Sequence, residues 1–405
     1  MRSYSFFTVI LLCLVLLFID ILSFYWLLSI TQLITSQLLK NSIHIAFWIF
    51  TIGLITSIMV LKVRLDNMNA KRKQLLVSSL YGLTVSSFIP KLIFILIISA
   101  LYFTNYVFSN EESLLIIPII GLFSGFIPFF VIVYAIFRSL YRFKVHHVKI
   151  KFKDLPKKFE GLSIVQISDL HLGSFNFRYH ILKRAVKLIN HLEPDFIFFT
   201  GDLVNNHAWE LRGWDLILKE LKAKRGKYSV LGNHDYGDYS DWESKKSKKS
   251  NHDLIKYFYE KIDFKLLLNE SEIIDVDGEK IVIVGVENWG IPPFKKYGDL
   301  GKALEGSISI PIKILLSHDP THWNEEVLKD SDIALTLSGH THGMQAAINI
   351  KSKKWSPIKY KYKHWAGLYK EGSQYLYVNR GLGWLGFPGR VGMRPEITHI
   401  ELGAE

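Results

Sequence analysis

A single cysteine, Cys13, stands in the whole chain. It lies within an apolar run, so no intrachain disulfide can form and no thiol-rich metal site can be assembled. Nothing in the cysteine usage calls for an oxidising compartment. Long repeats and low-complexity tracts are also lacking, which excludes solenoids and arrays. Charge is scarce in the first third, where apolar residues crowd, and it collects in the connections between apolar runs. The formal net charge of +12 would suit nucleic acid, acidic ligands or an anionic bilayer surface. Because so much of it flanks hydrophobic spans, it reads first as a membrane feature, and the aromatic-basic interleaving of strand-tracking grooves is missing.

Four apolar runs are present, at about 6–30, 43–61, 79–103 and 114–137. Each is long enough at helical rise to cross a bilayer core. The first is longer than a secretory h-region and no small-x-small cleavage site follows it, so it reads as a retained span rather than a cleaved leader. Asp20 inside it is either a functional intramembrane carboxylate or a group paired within the bundle. Pro90, Pro118 and Pro128 are tolerable because neighbouring helices re-satisfy the freed backbone groups. Lys62, Arg64, Lys71, Arg72 and Lys73 lie between the second and third runs, and Arg138, Arg142, Lys144 and Lys149 follow the fourth. The other two connections carry Lys40 alone and Glu111-Glu112. The positive-inside bias therefore puts both termini in the cytoplasm.

From about residue 146 the pattern changes to short apolar strands alternating with amphipathic stretches, so the division expected is 1–145 as a transmembrane anchor and 146–405 as an α/β domain. Buried strands are expected near 162–168, 195–200, 228–231, 281–286, 312–316 and 333–337, with a half-exposed strand at 148–152. Helices are expected at 178–192, 208–221, 252–261 and 321–328, and 236–250 reads as a polar loop.

Metal-binding side chains recur where the strands run out. Asp169 and His171 are two apart, so in an extended segment both point the same way. Asp202 follows the next strand, and its two oxygens could bridge two cations. Asn233, His318, His340 and His342 complete a mixed oxygen and nitrogen set that suits Mn²⁺, Fe or Zn²⁺ better than Ca²⁺. Apart from His234, the other ten histidines read as packed or solvated side chains.

Asp169-x-His171, Gly201-Asp202, Gly232-Asn-His-Asp235, His318 and Gly339-His-Thr-His342, in this order, resemble the calcineurin-like metallophosphoesterase superfamily. The ending Asn379-Arg-Gly-Leu-Gly to Met393-Arg-Pro-Glu-Ile397 resembles its bacterial membrane-associated branch. The resemblance implies a four-layer α/β/β/α sandwich after an all-α four-helix transmembrane region. It implies that Asp169, His171, Asp202 and His342 hold a first divalent ion, with Asp202, Asn233, His318 and His340 holding a second. Manganese is the first choice for both, and Fe or Zn²⁺ the alternatives. His234 would donate a proton to the leaving oxygen, and Asp235 would fix its tautomer. Asn205 stands where the second motif often carries Asp, and Met344 where Gly is frequent.

The function expected is hydrolysis of a phosphoester or pyrophosphate bond through a dinuclear metal-bound hydroxide, on a lipid-linked or amphipathic phosphate compound. Specific nucleic acid is not expected as a partner. A tethered nuclease or protein phosphatase, and a metal-stabilised scaffold without turnover, are the alternatives. Trp209, Trp242, Trp289, Trp323, Trp355, Trp365 and Trp384, with Tyr239, Pro292-Pro293-Phe294 and Phe387-Pro388, are core residues or an apolar rim at the bilayer interface. Arg380, Arg390 and Arg394 are either ligands for phosphate oxygens or structural cations.

Overall fold

The structure, a computed structural model, describes residues 5–108, 113–307, 309–350 and 353–405. It divides into two compact units: one runs from Ser139 to Leu385 and from Arg390 to Glu405, the other from Ser3 to Arg138 with Gly386–Gly389.

The second unit is built from four helices, α1 (Phe6–Thr31), α2 (Gln37–Arg64), α3 (Ala70–Phe108) and α4 (Ser113–Phe137). All four are long and apolar enough to cross a membrane. Helices α2 and α3 overrun the apolar runs that announce them. Hydropathy marks the part of a helix that sits in hydrocarbon, whereas the hydrogen-bonded ladder continues into polar residues until a cap stops it. At the start of α2 that cap is Ser36, whose Oγ accepts from Leu39 N–H at 3.3 Å. Phe7, Phe130 and Phe137 stay exposed on the bundle, as side chains do when hydrocarbon rather than water surrounds them. Asp20 is paired: its Oδ1 lies 2.7 Å from Lys91 Nζ of α3, and its Oδ2 accepts from Thr51 Oγ1 of α2 at 2.5 Å. Glu111 and Glu112 lie outside the described residues.

The first unit holds two six-stranded sheets. One has the order β1 (Lys144–Phe152), β14 (Glu396–Ala404), β2 (Ser163–Ile167), β3 (Phe196–Phe199), β4 (Gly226–Ser229), β5 (Lys265–Leu266). The other runs β12 (Gly367–Glu371), β13 (Gln374–Val378), β9 (Leu335–Ser338), β8 (Lys313–Leu316), β7 (Glu279–Gly285), β6 (Glu270–Val276). A two-stranded ribbon, β10 (Ile348–Ile350) with β11 (Lys353–Trp355), stands apart. Strands β2 to β5 are parallel to one another, as are β7, β8, β9 and β13, and antiparallel neighbours flank each set.

Successive strand residues point to opposite faces, and here both faces are buried. Ile164, Phe196 and Phe198 of the first sheet meet Ile281, Ile283, Ile314 and Leu335 of the second in one core. On the far side, Val165, Ile197 and Phe199 pack on Ile181 and Val186 of α5 (Tyr179–His191). On the outer face of the other sheet Val282, Val284 and Leu315 pack with Trp323 and Val327. The result is a helix, sheet, sheet, helix sandwich with mixed α/β sheets, as the resemblance implies.

Two helical expectations need correcting. The stretch 208–221 is broken into a short turn at Ala208–Leu211 and α6 (Asp215–Leu218), because Gly213 takes a φ of 78° between them. The loop expected at 236–250 ends early: α7 (Lys245–Lys261) begins inside it. Ser244 caps that helix by accepting from Ser247 N–H at 3.1 Å, and Ser247 Oγ reciprocates.

Candidate metal centre

The seven candidate ligands all come from segments leaving the carboxyl ends of parallel strands, where a doubly layered sheet fixes loop positions. Asp169 and His171 follow β2, Asp202 follows β3, Asn233 follows β4, His318 follows β8, and His340 and His342 follow β9. Five of them, Asp169, His171, Asp202, His340 and His342, have φ between 45° and 69°. Left-handed backbone is disfavoured for residues with a Cβ, and such strain gathers where side chains must converge. Two glycines allow the approach. A Cβ at Gly232 would stand 2.2 Å from Asp202 Oδ1, and one at Gly339 would stand 2.3 Å from Asp169 Oδ2.

The side chains fall into two adjoining groups, Asp169 with His171 and His342, and Asp202 with His318 and His340. In the first, His342 Nε2 lies 3.2 Å from Asp169 Oδ1 and 3.1 Å from His171 Nε2. In the second, His318 Nε2 lies 3.2 Å from Asp202 Oδ2 and 3.3 Å from His340 Nδ1. The same Asp202 Oδ2 stands 3.5 Å from His171 Nε2, so one carboxylate oxygen faces both groups.

The tautomers follow from the outer contacts. His171 Nδ1 meets the Val204 carbonyl at 3.2 Å and His318 Nδ1 meets that of Thr200 at 2.7 Å. Each Nδ1–H donates outward, which turns the Nε2 lone pair inward. For His340 the roles reverse: Nε2 is 2.8 Å from Tyr362 Oη, and Nδ1 faces the group.

These donors fit two divalent ions. Lone pairs of His171 and His342 face each other at a distance that repels unless a proton or cation intervenes. Asn233 Oδ1 is buried with no hydrogen-bond partner among the described residues, while its Nδ2 donates to Tyr239 Oη at 2.9 Å. A buried amide oxygen left without a donor is an acceptor of the kind a cation would satisfy.

Electrostatics around the centre are steep. Burial alone would raise the carboxyl of Asp202, but His318 and His234 beside it hold it well below the usual range. Burial likewise opposes the charge on His318, yet the Asp202 carboxylate raises that imidazole to about 10. His171 is lowered to about 3, by burial first.

His234 sits at the edge of both groups. Its N–H donates to Asp202 Oδ1 at 2.9 Å, and its ring stands edge-on to His171 at 5.1 Å. Its tautomer is set differently from expectation, because Nδ1 meets the Asn205 backbone carbonyl at 2.7 Å. The Asp235 carboxylate is instead occupied by backbone N–H groups of Asp202, Leu203, Val204 and Gly232 at 2.9–3.2 Å. It organises the Asp202 loop and leaves the imidazole to the main chain. The charge that Asn205 cannot supply is found in Glu210, a buried carboxylate accepting from Gly173, Asn205, Asn206 and His207 N–H. Burial pushes it up to about 7, against those four donors.

The arginines make mostly scaffold contacts, but Arg390 Nη2 also lies 3.4 Å from His342 Nδ1, and its Nη1 is buried without a hydrogen-bond partner among the described residues. Arg380 forms a buried ion pair with Glu396. Arg390 Nη2 donates to the carbonyls of Arg380, Gly381 and Gly383, and Arg394 to those of Arg142 and Phe143. Trp289, Trp323 and Trp365 are buried core residues, whereas Trp355 is exposed. Sequence reasoning missed Tyr362 and Glu210, and read Tyr239 only as a core or rim residue, since an isolated Tyr or Glu between motifs carries no spacing signal.

A two-sheet sandwich that gathers His, Asp and Asn at its strand ends defines a metal-dependent phosphoester hydrolase class. The comparisons with known proteins agree. Residues 162–344 match the calcineurin-like phosphoesterase family, and residues 2–140 match the probable calcineurin-like phosphoesterase transmembrane domain. The chain is 33% identical over 260 residues to the metallophosphoesterase YkuE of Bacillus subtilis, covering 62% of this chain and 83% of that one. It is 32% identical over 270 residues to a transmembrane protein with metallophosphoesterase domain from Bos taurus, covering 64% of this chain and 56% of that one. To the phosphodiesterase YaeI of Escherichia coli it is 26% identical over 260 residues, covering 64% and 87% respectively. The chain belongs to the calcineurin-like phosphoesterase family, and with its four apolar helices it is an integral membrane member.

Proposed function

We infer that the protein hydrolyses a phosphoester or phosphoanhydride bond at a dinuclear centre. The observation that carries this reading is Asp202, whose Oδ2 faces His171 on one side and His318 on the other. Asp169, His171, Asp202 and His342 would hold one ion. Asp202, Asn233, His318 and His340 would hold the other. Two such ions supply charge neutralisation for the phosphoryl oxygens and lower the pKa of water.

The remaining work falls to the chain's own groups. His234 is positioned by its Nδ1–H, which donates to the Asn205 carbonyl, and Nε2, once protonated from solvent, would be the atom that donates to the departing oxygen. Burial lowers its pKa, so the ring rests neutral and Nε2 would take up a proton before donating it. Asp235 acts one step back, holding the Asp202 loop through main-chain N–H groups.

The substrate class we favour is a membrane-embedded or amphipathic phosphate compound. Four apolar helices joined to the catalytic unit support it, since they confine turnover to the bilayer surface. Manganese is the preferred metal because the ligands are oxygen and imidazole nitrogen with no thiolate. The distribution of Lys and Arg supports a catalytic unit on the cytoplasmic side.

The test is an assay of the detergent-solubilised chain with Mn²⁺ against mono- and diester reporters and a panel of phospholipids, beside Asp202→Ala. We expect turnover to fall to background in the variant, and its bound metal to drop from two ions per chain. Equal activity in Asp202→Ala would sink the dinuclear reading. If soluble nucleotides were processed as well with the spans removed and lipid phosphates were ignored, the lipid assignment would go.

A further inference from the structure

The sequence offers many cations near the site, and the fold spends nearly all of them. Arg380, Arg390 and Arg394 are bound to Glu396 or to main-chain carbonyls. Lys248 and Lys295 both pair with Asp238, and Lys296 reaches Glu326 at 3.4 Å. Lys361 is different: among the described residues no carboxylate lies within ion-pair distance of it. Its Nζ is held instead over two rings, 5.0 Å from the centroid of Phe294 and 5.3 Å from that of Tyr362.

Those two rings are the ones that seat His340. Phe294 stands edge-on to that imidazole at 4.7 Å, and Tyr362 Oη is 2.8 Å from its Nε2. Lys361 is thus one aromatic ring away from a candidate ligand of the second ion. It is exposed while Tyr362 beneath it is buried. Two ring faces attract an ammonium without neutralising it. The arrangement holds an exposed ammonium over the two rings that seat His340, with no carboxylate partner among the described residues to cancel its charge.

A scissile phosphoryl group would be met by the two ions themselves. A cation set further out has no oxygen to bind unless the substrate carries a second anionic group beyond the one attacked. We propose that Lys361 is a specificity-determining residue that binds a second phosphate of the substrate, adjoining the scissile one. This rests on the phosphoesterase reading and narrows it to diphosphate-type substrates. Lys361 touches no reacting atom; it contributes binding through a charge-assisted hydrogen bond to a non-bridging oxygen.

The experiment compares two soluble probes that release the same product. Water attacks the nucleoside phosphorus of adenosine 5′-monophosphate methyl ester to give AMP and methanol. The same attack on adenosine 5′-diphosphate methyl ester gives AMP and methyl phosphate. With the Mn²⁺-loaded full chain, Lys361→Met should lower the diphosphate-to-monophosphate ratio of kcat/KM about tenfold, carried by KM, the size of one charge-assisted contact. Lys361→Arg should restore most of it. Metal content measured on the same samples should remain that of the wild type, which separates lost recognition from a damaged centre. A ratio unchanged in Lys361→Met, or one that Lys361→Arg lowers equally, overturns the assignment while leaving the hydrolase reading intact. Absence of any AMP release that Asp202→Ala abolishes would overturn the diphosphate assignment, while the hydrolase reading stands or falls on the phospholipid panel.

Discussion

At the scale of single residues, the centre is a bargain between backbone strain and side-chain convergence. Five ligand positions hold left-handed φ values, at a cost on the order of 1–3 kcal/mol each. Sheet ends and main-chain hydrogen bonds over-determine them, as when Asp169 N–H donates to the Gly201 carbonyl at 2.9 Å. Outer partners then aim the imidazoles. Tyr362 is the outer partner of His340, so Tyr362→Phe should free that ring to turn and weaken the second ion by about 10–100-fold. A metal titration followed by calorimetry checks this, and an unaltered affinity for the weaker site would count against Tyr362 as its anchor. The candidate ligands stand out in the sequence because Asp, His and Asn follow the strand ends. Tyr362 does not, because its partner is 22 residues away and the contact exists only after folding.

At the scale of elements, period and length announced most of the structure. The inner strands β3 and β8 are near-continuous apolar runs buried on both faces, which is how parallel strands in a layered sheet read, while β2 and β9 bury Gln166, Thr336 and Ser338 among their apolar residues. β14 escaped the reading. Its alternation is interrupted by Thr398 and His399, and its place between β1 and β2 is set by pairing that sequence proximity does not suggest. In the helical unit, the Asp20, Lys91 and Thr51 contacts join α1, α3 and α2. Removing one partner leaves a buried charge unpaired, so Asp20→Ala should destabilise the bundle by about 3–5 kcal/mol. The double change Asp20→Leu with Lys91→Leu should cost much less. Thermal unfolding of the full chain in one detergent reads both, and additive losses would mean that the pair does not interact.

At the scale of the whole molecule, charge along the chain decides which side of the membrane the catalytic unit occupies. The connection after α2 is basic and the one after α1 carries only Lys40 nearby. In a Cys13→Ser background, an impermeant thiol reagent added to intact cells should label Ser36→Cys and spare Lys71→Cys. The reverse pattern would put the catalytic unit outside.

What the sequence determined by itself was chemistry and class: apolar runs of membrane length, strands alternating with helices, and donor residues in a recognisable order. These are local properties, carried by residue type and spacing. Tertiary structure alone decided which atoms meet. It put one oxygen of Asp202 between two imidazole pairs, gave the tautomer of His234 to a main-chain carbonyl instead of Asp235, and turned the arginines mostly to scaffold contacts. Hydrogen-bond partners are chosen by proximity in three dimensions, and proximity between segments far apart in the chain is created by strand pairing and core packing, which no local pattern encodes.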